Sequence, residues 1–374
     1  MLNIQGIVID NGSGRCKAGF AGDDSPILVF PSTIGKPKPN YSKQTGQKEQ
    51  SIVGFKSQFY NEMSHIQYPI EDGIIHDWDG MEQIWSYVFT ELNVNSKDRP
   101  VLLSEPLFNP MACREKMAQI MFEKFNVPAM YVSLQATLGL YASGRGSAVV
   151  LDSGEGATHI VPIYEGYTFP HASVRLDFGG RDLTDYLMEL LTYSGYSFCT
   201  STEREIVRDM KEKMCYVAQD FRHEEHAASS TYSLVTDYML PDGQMITLSS
   251  ERCRCPEALF QPHLMNFKSD GLAVELYRSV MNCTVDVRRD LFANIVLSGG
   301  STMFPGLPER LQRDVTHLLS SNPMRVRVVA RADREYFVWV GGSILASLST
   351  FQKMWVTKEQ YDETGPSAIT EHIV

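Results

Sequence analysis

The fold is decided by the stretch Gly6-Ile7-Val8-Ile9-Asp10-Asn11-Gly12-Ser13-Gly14, in which a β-branched apolar run ends in Asp-x-Gly-x-Gly. Residues 148–156 repeat this pattern, and the two aspartates, Asp10 and Asp152, lie 142 residues apart. A second apolar segment follows each glycine-rich turn, so each stretch predicts a β-hairpin. Repetition at the spacing of a domain indicates two related domains, each presenting one such turn.

Between and after the hairpins, apolar residues recur at three- and four-residue spacing, which predicts helices. The predicted helices cover residues 81–92, 114–125, 183–191 and 204–218. Predicted strands alternate with them at residues 100–103, 129–132 and 294–297. This alternation in both halves predicts the α/β class, with sheets covered by helices.

Two segments depart from this alternation. Residues 336–352 carry no charge and predict a strand, a Gly-Gly turn and a buried helix. The segment is shorter than the ~20 apolar residues that a membrane span requires, and we expect no membrane partner. Residues 36–50 contain almost no apolar side chain and predict an exposed, mobile loop.

Composition excludes several classes of protein. The 374 residues include 34 basic and 45 acidic side chains, and the resulting net charge of −11 argues against direct nucleic-acid binding through a basic surface. Seven scattered cysteines predict buried free thiols, because they show no CxxC spacing. The segment His223–His226 lacks the HExxH spacing and predicts a solvated polar turn. The first residues do not form a secretory signal, so a cytosolic or nuclear protein is expected.

The two glycine turns predict a polyphosphate site. Backbone N–H groups in such turns approach anions closely, and two facing turns would hold a polyphosphate from both sides. Asp10 and Asp152 end buried runs and would be costly as unpaired charges, a cost that a hydrated Mg²⁺ between them would remove. Lys17 follows the first turn and would reach a β- or γ-phosphate. The chain contains no GxxxxGK[ST] motif, so a P-loop enzyme is excluded.

Longer motifs extend along almost the whole chain. They are Asp10-Asn11-Gly12-Ser13-Gly14, Lys17-Ala18-Gly19-Phe20-Ala21-Gly22-Asp23-Asp24, Glu123-Lys124-Phe125-Asn126-Val127-Pro128, Tyr141-Ala142-Ser143-Gly144-Arg145, Val161-Pro162-Ile163-Tyr164-Glu165-Gly166-Tyr167, Lys211-Glu212-Lys213-Met214-Cys215-Tyr216, Cys255-Pro256-Glu257-Ala258-Leu259-Phe260 and Trp339-Val340-Gly341-Gly342-Ser343-Ile344-Leu345-Ala346-Ser347-Leu348. With these motifs in this order, the chain resembles the actin family.

The resemblance implies the actin-like ATPase fold, with two related α/β domains around a nucleotide cleft, each carrying a smaller inserted subdomain. The implied boundaries are 1–31, 69–142 and 336–374 for the first large subdomain, 32–68 for its small subdomain, 143–178 and 268–335 for the second large subdomain, and 179–267 for its small subdomain.

The resemblance also implies site residues for ATP or ADP with Mg²⁺, or with Ca²⁺ in vitro. Asp10 and Asp152 would hold the metal through water, and Gln135 and His159 would position the attacking water. The nucleotide would contact Ser13, Gly14, Lys17, Gly154, Glu155, Gly156, Arg208, Lys211, Glu212, Gly300, Ser301, Met303 and Phe304.

Some cleft residues depart from the family pattern. Glu155 stands where the family has Asp, and its extra methylene would shift a metal-bound water by about an ångström, enough to affect the rate of hydrolysis. Asp72 replaces a His, Phe304 a Tyr, and Glu335 a Lys near the adenine. We expect weak ATPase activity.

The outer surface departs further. The loop 39–47 is polar where the family uses apolar residues between filament subunits, and Met111, Cys113, Tyr193 and Ser194 alter both sides of the contact between strands. Without an acidic N-terminal cluster, myosin would be a poor partner. A groove that docks actin-binding proteins is matched by Tyr141, Gly144, Gly166, Tyr167, Leu345, Leu348, Thr350 and Met354.

Three functions follow from these features. The first is a cytoskeletal actin-family protein of the cytoplasm that binds ATP·Mg²⁺ and polymerises alone or with other actins. The second is a non-polymerising subunit of a larger ciliary dynein, dynactin-like or chromatin-remodelling complex, with a ciliary or nuclear location. The third, a metabolic kinase on the same fold, has only the phosphate hairpins in its favour.

Overall fold

The computed structural model describes residues 5–37, 52–54, 64–230 and 235–369. Its strands are β1 (Ile7–Asn11), β2 (Arg15–Phe20), β3 (Leu28–Pro31), β4 (Ile34–Pro37), β5 (Ile52–Val53), β6 (Ser64–Gln67), β7 (Ile70–Glu71), β8 (Ile74–Ile75), β9 (Val101–Glu105), β10 (Ala129–Leu134), β11 (Ala148–Ser153), β12 (Thr158–Tyr164), β13 (Tyr167–Thr168), β14 (Val174–Leu176), β15 (Thr236–Met239), β16 (Met245–Leu248), β17 (Ile295–Ser298), β18 (Val328–Val329) and β19 (Val356–Thr357).

Helices cover these strands. They are α1 (Trp78–Glu91), α2 (Met111–Gln119), α3 (Gln135–Ala142), α4 (Gly180–Tyr193), α5 (Ser201–Met214), α6 (Phe221–Ser230), α7 (Glu251–Glu257), α8 (Leu272–Met281), α9 (Val285–Phe292), α10 (Leu307–Leu318), α11 (Phe337–Ser347) and α12 (Lys358–Thr364).

Two large sheets organise the described strands. The first has the order β19-β10-β9-β1-β2-β3, and the second has the order β13-β12-β11-β17-β18, with β14 beside β12. In the first sheet, β1 pairs antiparallel with β2 and parallel with β9. In the second sheet, β11 pairs in the same way with β12 and β17. Both predicted hairpins and the internal repeat are therefore confirmed, whereas the four subdomain boundaries stay a prediction.

The first hairpin strand is buried on both faces. Ile7 and Ile9 pack with Trp85 of α1, while Val8 points the other way toward Trp339 of α11. Each such apolar side chain contributes about 1.5–3 kcal/mol when removed from water. Coverage on both faces explains why the strand is a continuous apolar run and not an alternating one.

The prediction for residues 336–352 was wrong in its first half. One helix, α11, runs from Phe337 to Ser347 through both glycines. A Cβ placed on Gly341 would lie 1.8 Å from the carbonyl oxygen of Leu138, and one on Gly342 would lie 2.7 Å from a methyl of Val8. The glycine pair therefore lets α11 pack closely on α3 and β1, and it does not form a turn.

Smaller predictions were also wrong. The segment His223–His226 lies inside helix α6 and is not a turn. The predicted helix over 204–218 ends at Met214, after which Cys215 is extended. Cys199 is exposed, unlike the buried thiols expected, and Lys36 belongs to strand β4.

One prediction falls on residues that the structure does not describe, and another concerns the membrane. Most of the predicted loop, including residues 39–47, and the first four residues lie outside the described part of the chain. Among the described helices, none combines the length and the apolar character that crossing a membrane demands.

The close contact of α11 with α3 gives a test of the fold. We expect Gly341→Ala to lower the unfolding midpoint strongly, because the new methyl would overlap the Leu138 carbonyl and overpacking costs about 1–3 kcal/mol or more. The matched control is Gly146→Ala, whose Cβ meets no atom within 4 Å. Thermal unfolding followed by circular dichroism would measure both, and equal midpoints for the two variants would contradict the packing described here.

Candidate functional site

The turns of the two hairpins are in direct contact. A Cβ on Gly14 would lie 2.8 Å from the Cβ of Glu155, and a Cβ on Gly156 would lie 2.8 Å from Ser13 Oγ and from the Cα of Asp72. Real Cβ atoms do not approach so closely, so glycine is required in each turn. The turn of the first sheet and the turn of the second therefore form one surface.

A cavity of about 250 Å³ opens beside this contact. Its lining includes every residue that the sequence analysis assigned to catalysis, nucleotide or metal: Asp10, Ser13, Gly14, Lys17, Gln135, Asp152, Gly154, Glu155, Gly156, His159, Arg208, Lys211, Glu212, Gly300, Ser301, Met303 and Phe304.

The lining also contains residues that were not singled out, among them Arg15, Gly73 and Val338. Arg15 directly follows the first glycine turn, and this position in the sequence could have identified it as a residue of the cavity lining. Gly73 and Val338 come from distant segments without a local motif. The Gly73 amide donates a 2.9 Å hydrogen bond to Ser13 Oγ, which ties its turn to the first glycine turn.

Two buried carboxylates, Asp10 and Asp152, lie near the ends of β1 and β11, the first strands of the two hairpins. Asp10 accepts a 2.7 Å hydrogen bond from Ser104 Oγ and a 2.8 Å hydrogen bond from Lys17 Nζ. Burial acts to lower the pKa of Lys17, but the charge and hydrogen bond of Asp10 outweigh it, so the pKa is raised. Burial raises the pKa of the Asp152 carboxyl, and the charge of Asp10 acts in the same direction.

These groups suit a hydrated divalent cation. Asp10 and Asp152 together carry one more negative charge than Lys17 balances, so a cation between them would relieve the cost of burying both carboxylates. Among the described residues no three His, Cys, Asp or Glu side chains cluster as a metal site. A cage of direct protein ligands is thus missing from the described part, and the donors fit Mg²⁺, which keeps its waters and uses one or two carboxylates.

Two further side chains face the same part of the cavity. Gln135 begins α3, and its Nε2 lies 3.4 Å from Ser104 Oγ, the hydroxyl that also contacts Asp10. His159 pairs with Asp152 across the hairpin β11–β12. Its Nε2 is buried and finds no hydrogen-bond partner among the described residues. Such an atom is costly unless a water or ligand satisfies it.

His159 is held in its neutral form. Burial lowers the pKa of His159 to about 4, and the charge of Arg175 acts in the same direction, with Asp177 opposing it. At neutral pH the imidazole therefore exchanges hydrogen bonds without carrying charge. A neutral ring next to a cavity is suited to orienting a water molecule.

The second glycine turn is braced by helices α4 and α5. Lys211 Nζ donates to the carbonyl oxygen of Gly180 and to Thr184 Oγ1, and it lies 3.9 Å from Glu155 Oε2. Burial would raise the pKa of Glu155, but Lys211 and nearby arginines outweigh it, so the pKa is lowered and the side chain is ionised. Ser301 Oγ donates a 2.7 Å hydrogen bond to the Gly154 carbonyl, which fixes the same turn from the other side.

The remaining part of the cavity combines charged and apolar walls. Arg208 pairs with Glu205 at 2.7 Å and lies 3.9 Å from Glu212. In the second half of the chain, the short 3₁₀ helix Gly300–Met303 precedes the buried Phe304. A Cβ on Gly300 would meet no atom within 4 Å, so open space lies above its backbone.

The residues predicted to form the groove are largely at the surface, although Leu345 and Met354 also pack against the core cluster that contains Trp339. Tyr167 is 67% exposed and Leu348 is 46% exposed, and Tyr141 is also exposed. The exposed or half-buried remainder comprises Gly144, Gly166, Leu345, Thr350 and Met354. The Gly166 amide donates to the Gly146 carbonyl, which brings the turn before β13 beside the end of α3.

Two related α/β units that bring one glycine turn each to a shared cavity define the class of protein. The family model described as Actin matches residues 1–373, almost the whole chain. The chain belongs to the actin family, and its two-sheet α/β architecture is the actin-like fold.

The neutral state of His159 predicts a pH dependence of stability. Below pH 6.5 the unfolded chain protonates this histidine, whereas the folded protein does so only near pH 4. The free energy of unfolding should therefore decrease as the pH is lowered, by about 2 kcal/mol between pH 7 and pH 5 from this group alone. Urea unfolding at a series of pH values should show that His159→Gln loses this part of the pH dependence. The control His171→Gln, which changes an exposed histidine, should keep it. An unchanged slope in His159→Gln would contradict the assignment.

Proposed function

We propose that this protein binds ATP or ADP with Mg²⁺ in the cavity, hydrolyses ATP slowly and assembles into filaments. The observation that carries the proposal is the convergence of two glycine turns and two buried carboxylates, Asp10 and Asp152, on one cavity. Family membership supports it, because the cavity is lined by the residues that the resemblance assigned to nucleotide and metal.

The phosphate groups would lie between the two turns. Ser13 and Gly14 would offer contacts from the first turn, and Gly154, Glu155 and Gly156 from the second, since backbone amides in glycine turns favour phosphate oxygens. Lys17 would share its charge between Asp10 and the phosphates. When bound, Mg²⁺ would supply charge neutralisation for the phosphates, and Asp10 and Asp152 would hold its water shell.

The opposite wall would hold the adenosine. Its residues are Arg208, Lys211, Glu212, Gly300, Ser301, Met303 and Phe304. The open space above Gly300 would admit a flat base close to the backbone. Phe304 offers apolar surface there, and the charged side chains of α5 would face the sugar.

Hydrolysis would depend on an oriented water. Gln135 and the unpartnered Nε2 of His159 would hold that water, because phosphoryl transfer requires positioning more than a strong base. The low pKa of His159, about 4, agrees with an orienting role and not with proton storage. Since Glu155 is longer than the family's Asp, turnover should be slow.

Metal dependence tests the site. In Asp152→Asn we expect the gain in ATP affinity on adding Mg²⁺ to fall at least about tenfold, because a neutral amide no longer holds the cation's water shell. Calorimetric titration of ATP with Mg²⁺ or with EDTA would measure it. Asp270→Asn, on an exposed ion pair with Arg278, is the matched control and should keep the full gain. If both variants kept the full gain in ATP affinity on adding Mg²⁺, Asp152 would not be part of the proposed metal site.

Assembly is the second part of the proposal. Interaction with actins or actin-binding proteins follows from the family in general terms. Met111 and Tyr193, which replace polar family residues on the predicted contact between strands, are 61% and 78% exposed. Large exposed apolar side chains are suited to burial against a second subunit. We therefore favour filaments over the alternative of a single subunit held in a dynein, dynactin-like or chromatin-remodelling complex.

Sedimentation tests assembly. With ATP and Mg²⁺, the pure protein should pellet at low micromolar concentration. Tyr193→Ala should raise the critical concentration about tenfold, because the contact loses an aromatic ring, whereas Ile27→Ala, at another exposed apolar site, should not. Recovery of the native protein only as a stoichiometric member of a larger complex would contradict the filament proposal.

The groove and the cell location complete the proposal. Tyr167 and Leu348 are exposed on an acidic protein, and together with the other predicted groove residues they would offer an apolar surface to a partner helix from an actin-binding protein. We place the protein in the cytoplasmic cytoskeleton, and myosin remains an expected poor partner.

A further inference from the structure

We infer that Arg15 forms an ionic bridge across the cavity that sets the rate at which a bound nucleotide leaves. The inference rests on the proposed nucleotide binding and adds a release-controlling residue to it. The family resemblance assigned no role to Arg15, and the bridge is seen only in the three-dimensional arrangement.

Two carboxylates from different segments converge on this one guanidinium. Arg15 Nη2 lies 2.8 Å from Glu212 Oε2, and Nη1 lies 3.9 Å from Glu335 Oε2. Glu212 belongs to α5, and Glu335 belongs to the 3₁₀ helix Arg334–Tyr336. All three residues line the cavity.

The bridge joins the two halves of the molecule. Arg15 begins β2 in the first sheet. Helix α5, which carries Glu212, packs through Val207 and Met210 into the core of the second sheet. Opening the cleft between the two sheets would therefore break the contact between Arg15 and Glu212.

The bridge lies on the outer side of the cavity. The side chains of Arg15, Glu212 and Glu335 are 36%, 42% and 30% exposed. Asp10 and Asp152, by contrast, are 3% and 7% exposed. A ligand held at the carboxylates would have the bridge between itself and solvent.

Both ends of the bridge are anchored. Glu212 also lies 3.9 Å from Arg208, which pairs with Glu205 one turn earlier on the same helix. On the other side, the Arg15 backbone closes the first glycine turn, since a Cβ on Gly12 would lie 2.6 Å from the Arg15 carbonyl oxygen. Movement of Arg15 is thereby coupled to the turn that would hold phosphate.

The size of the effect follows from exposure. Half-exposed ion pairs contribute little each, equivalent to about a two- to fivefold change in an equilibrium or rate. They are also screened by salt, whose Debye length is about 10 Å at 0.1 M and 3 Å at 1 M. Release from the wild-type protein should therefore accelerate with ionic strength, and release from a protein without the bridge should not.

The experiment is a chase measurement of release. A fluorescent ATP analogue with Mg²⁺ is bound to the full-length protein and displaced by excess ATP, at 50 mM and at 500 mM KCl. The variants are Arg15→Met, Arg15→Lys and Glu335→Gln. The control is Arg278→Met, which removes an arginine that also contacts two carboxylates, Asp270 and Glu275, away from the cavity.

We expect release to be about two- to fivefold faster in Arg15→Met at low salt and nearly independent of salt. Arg15→Lys, which keeps the charge but loses the planar fork, should be intermediate. Glu335→Gln should also accelerate release, and the double variant with Arg15→Met should add little to Arg15→Met alone. Arg278→Met should match the wild type.

Three results would overturn the inference or its basis, and they can be told apart. If the wild type binds no analogue, the proposed nucleotide site fails. If all variants bind the analogue and release it at the wild-type rate, the site stands and the bridge fails. If Glu335→Gln slows release while Arg15→Met accelerates it, Arg15 holds the ligand directly and the bridge is again rejected.

Discussion

The structure depends on the contact between two glycine turns. Gly14 lies so close to Glu155, and Gly156 so close to Ser13, that a side chain in either turn would separate them. Each turn ends a hairpin at the centre of its own six-stranded sheet. The contact therefore joins the two hairpins directly, and it brings Asp10 and Asp152 to one cavity.

Much of this arrangement could be predicted from local patterns. The repeated Asp-x-Gly-x-Gly motif identified both hairpins, because a β-branched run before a glycine turn has few alternatives. Gly341 and Gly342 were wrongly predicted to form a turn. Glycine is required at these positions because Leu138 and Val8, on other elements, leave no room for a side chain. Periodicity carries no information on such long-range contacts.

The cavity shows the same limit. Its predicted lining came from motifs and family resemblance, whereas Gly73 and the pairing of Arg15 with Glu212 and Glu335 were found only in three dimensions. Glu212 and Glu335 are about two hundred and more than three hundred residues from Arg15, so no sequence window contains the pair. Ion pairs of this kind form only in the folded chain. A residue that departs from the family pattern is therefore best interpreted together with the side chains that it faces.

The proposed function depends on an adenine nucleotide bound in the cavity. The most direct measurement is chromatographic analysis of the nucleotide released on acid denaturation of protein purified in the presence of Mg²⁺. We expect close to one ADP or ATP per chain. Protein that is folded, carries no nucleotide and gains none after incubation with ATP and Mg²⁺ would contradict it.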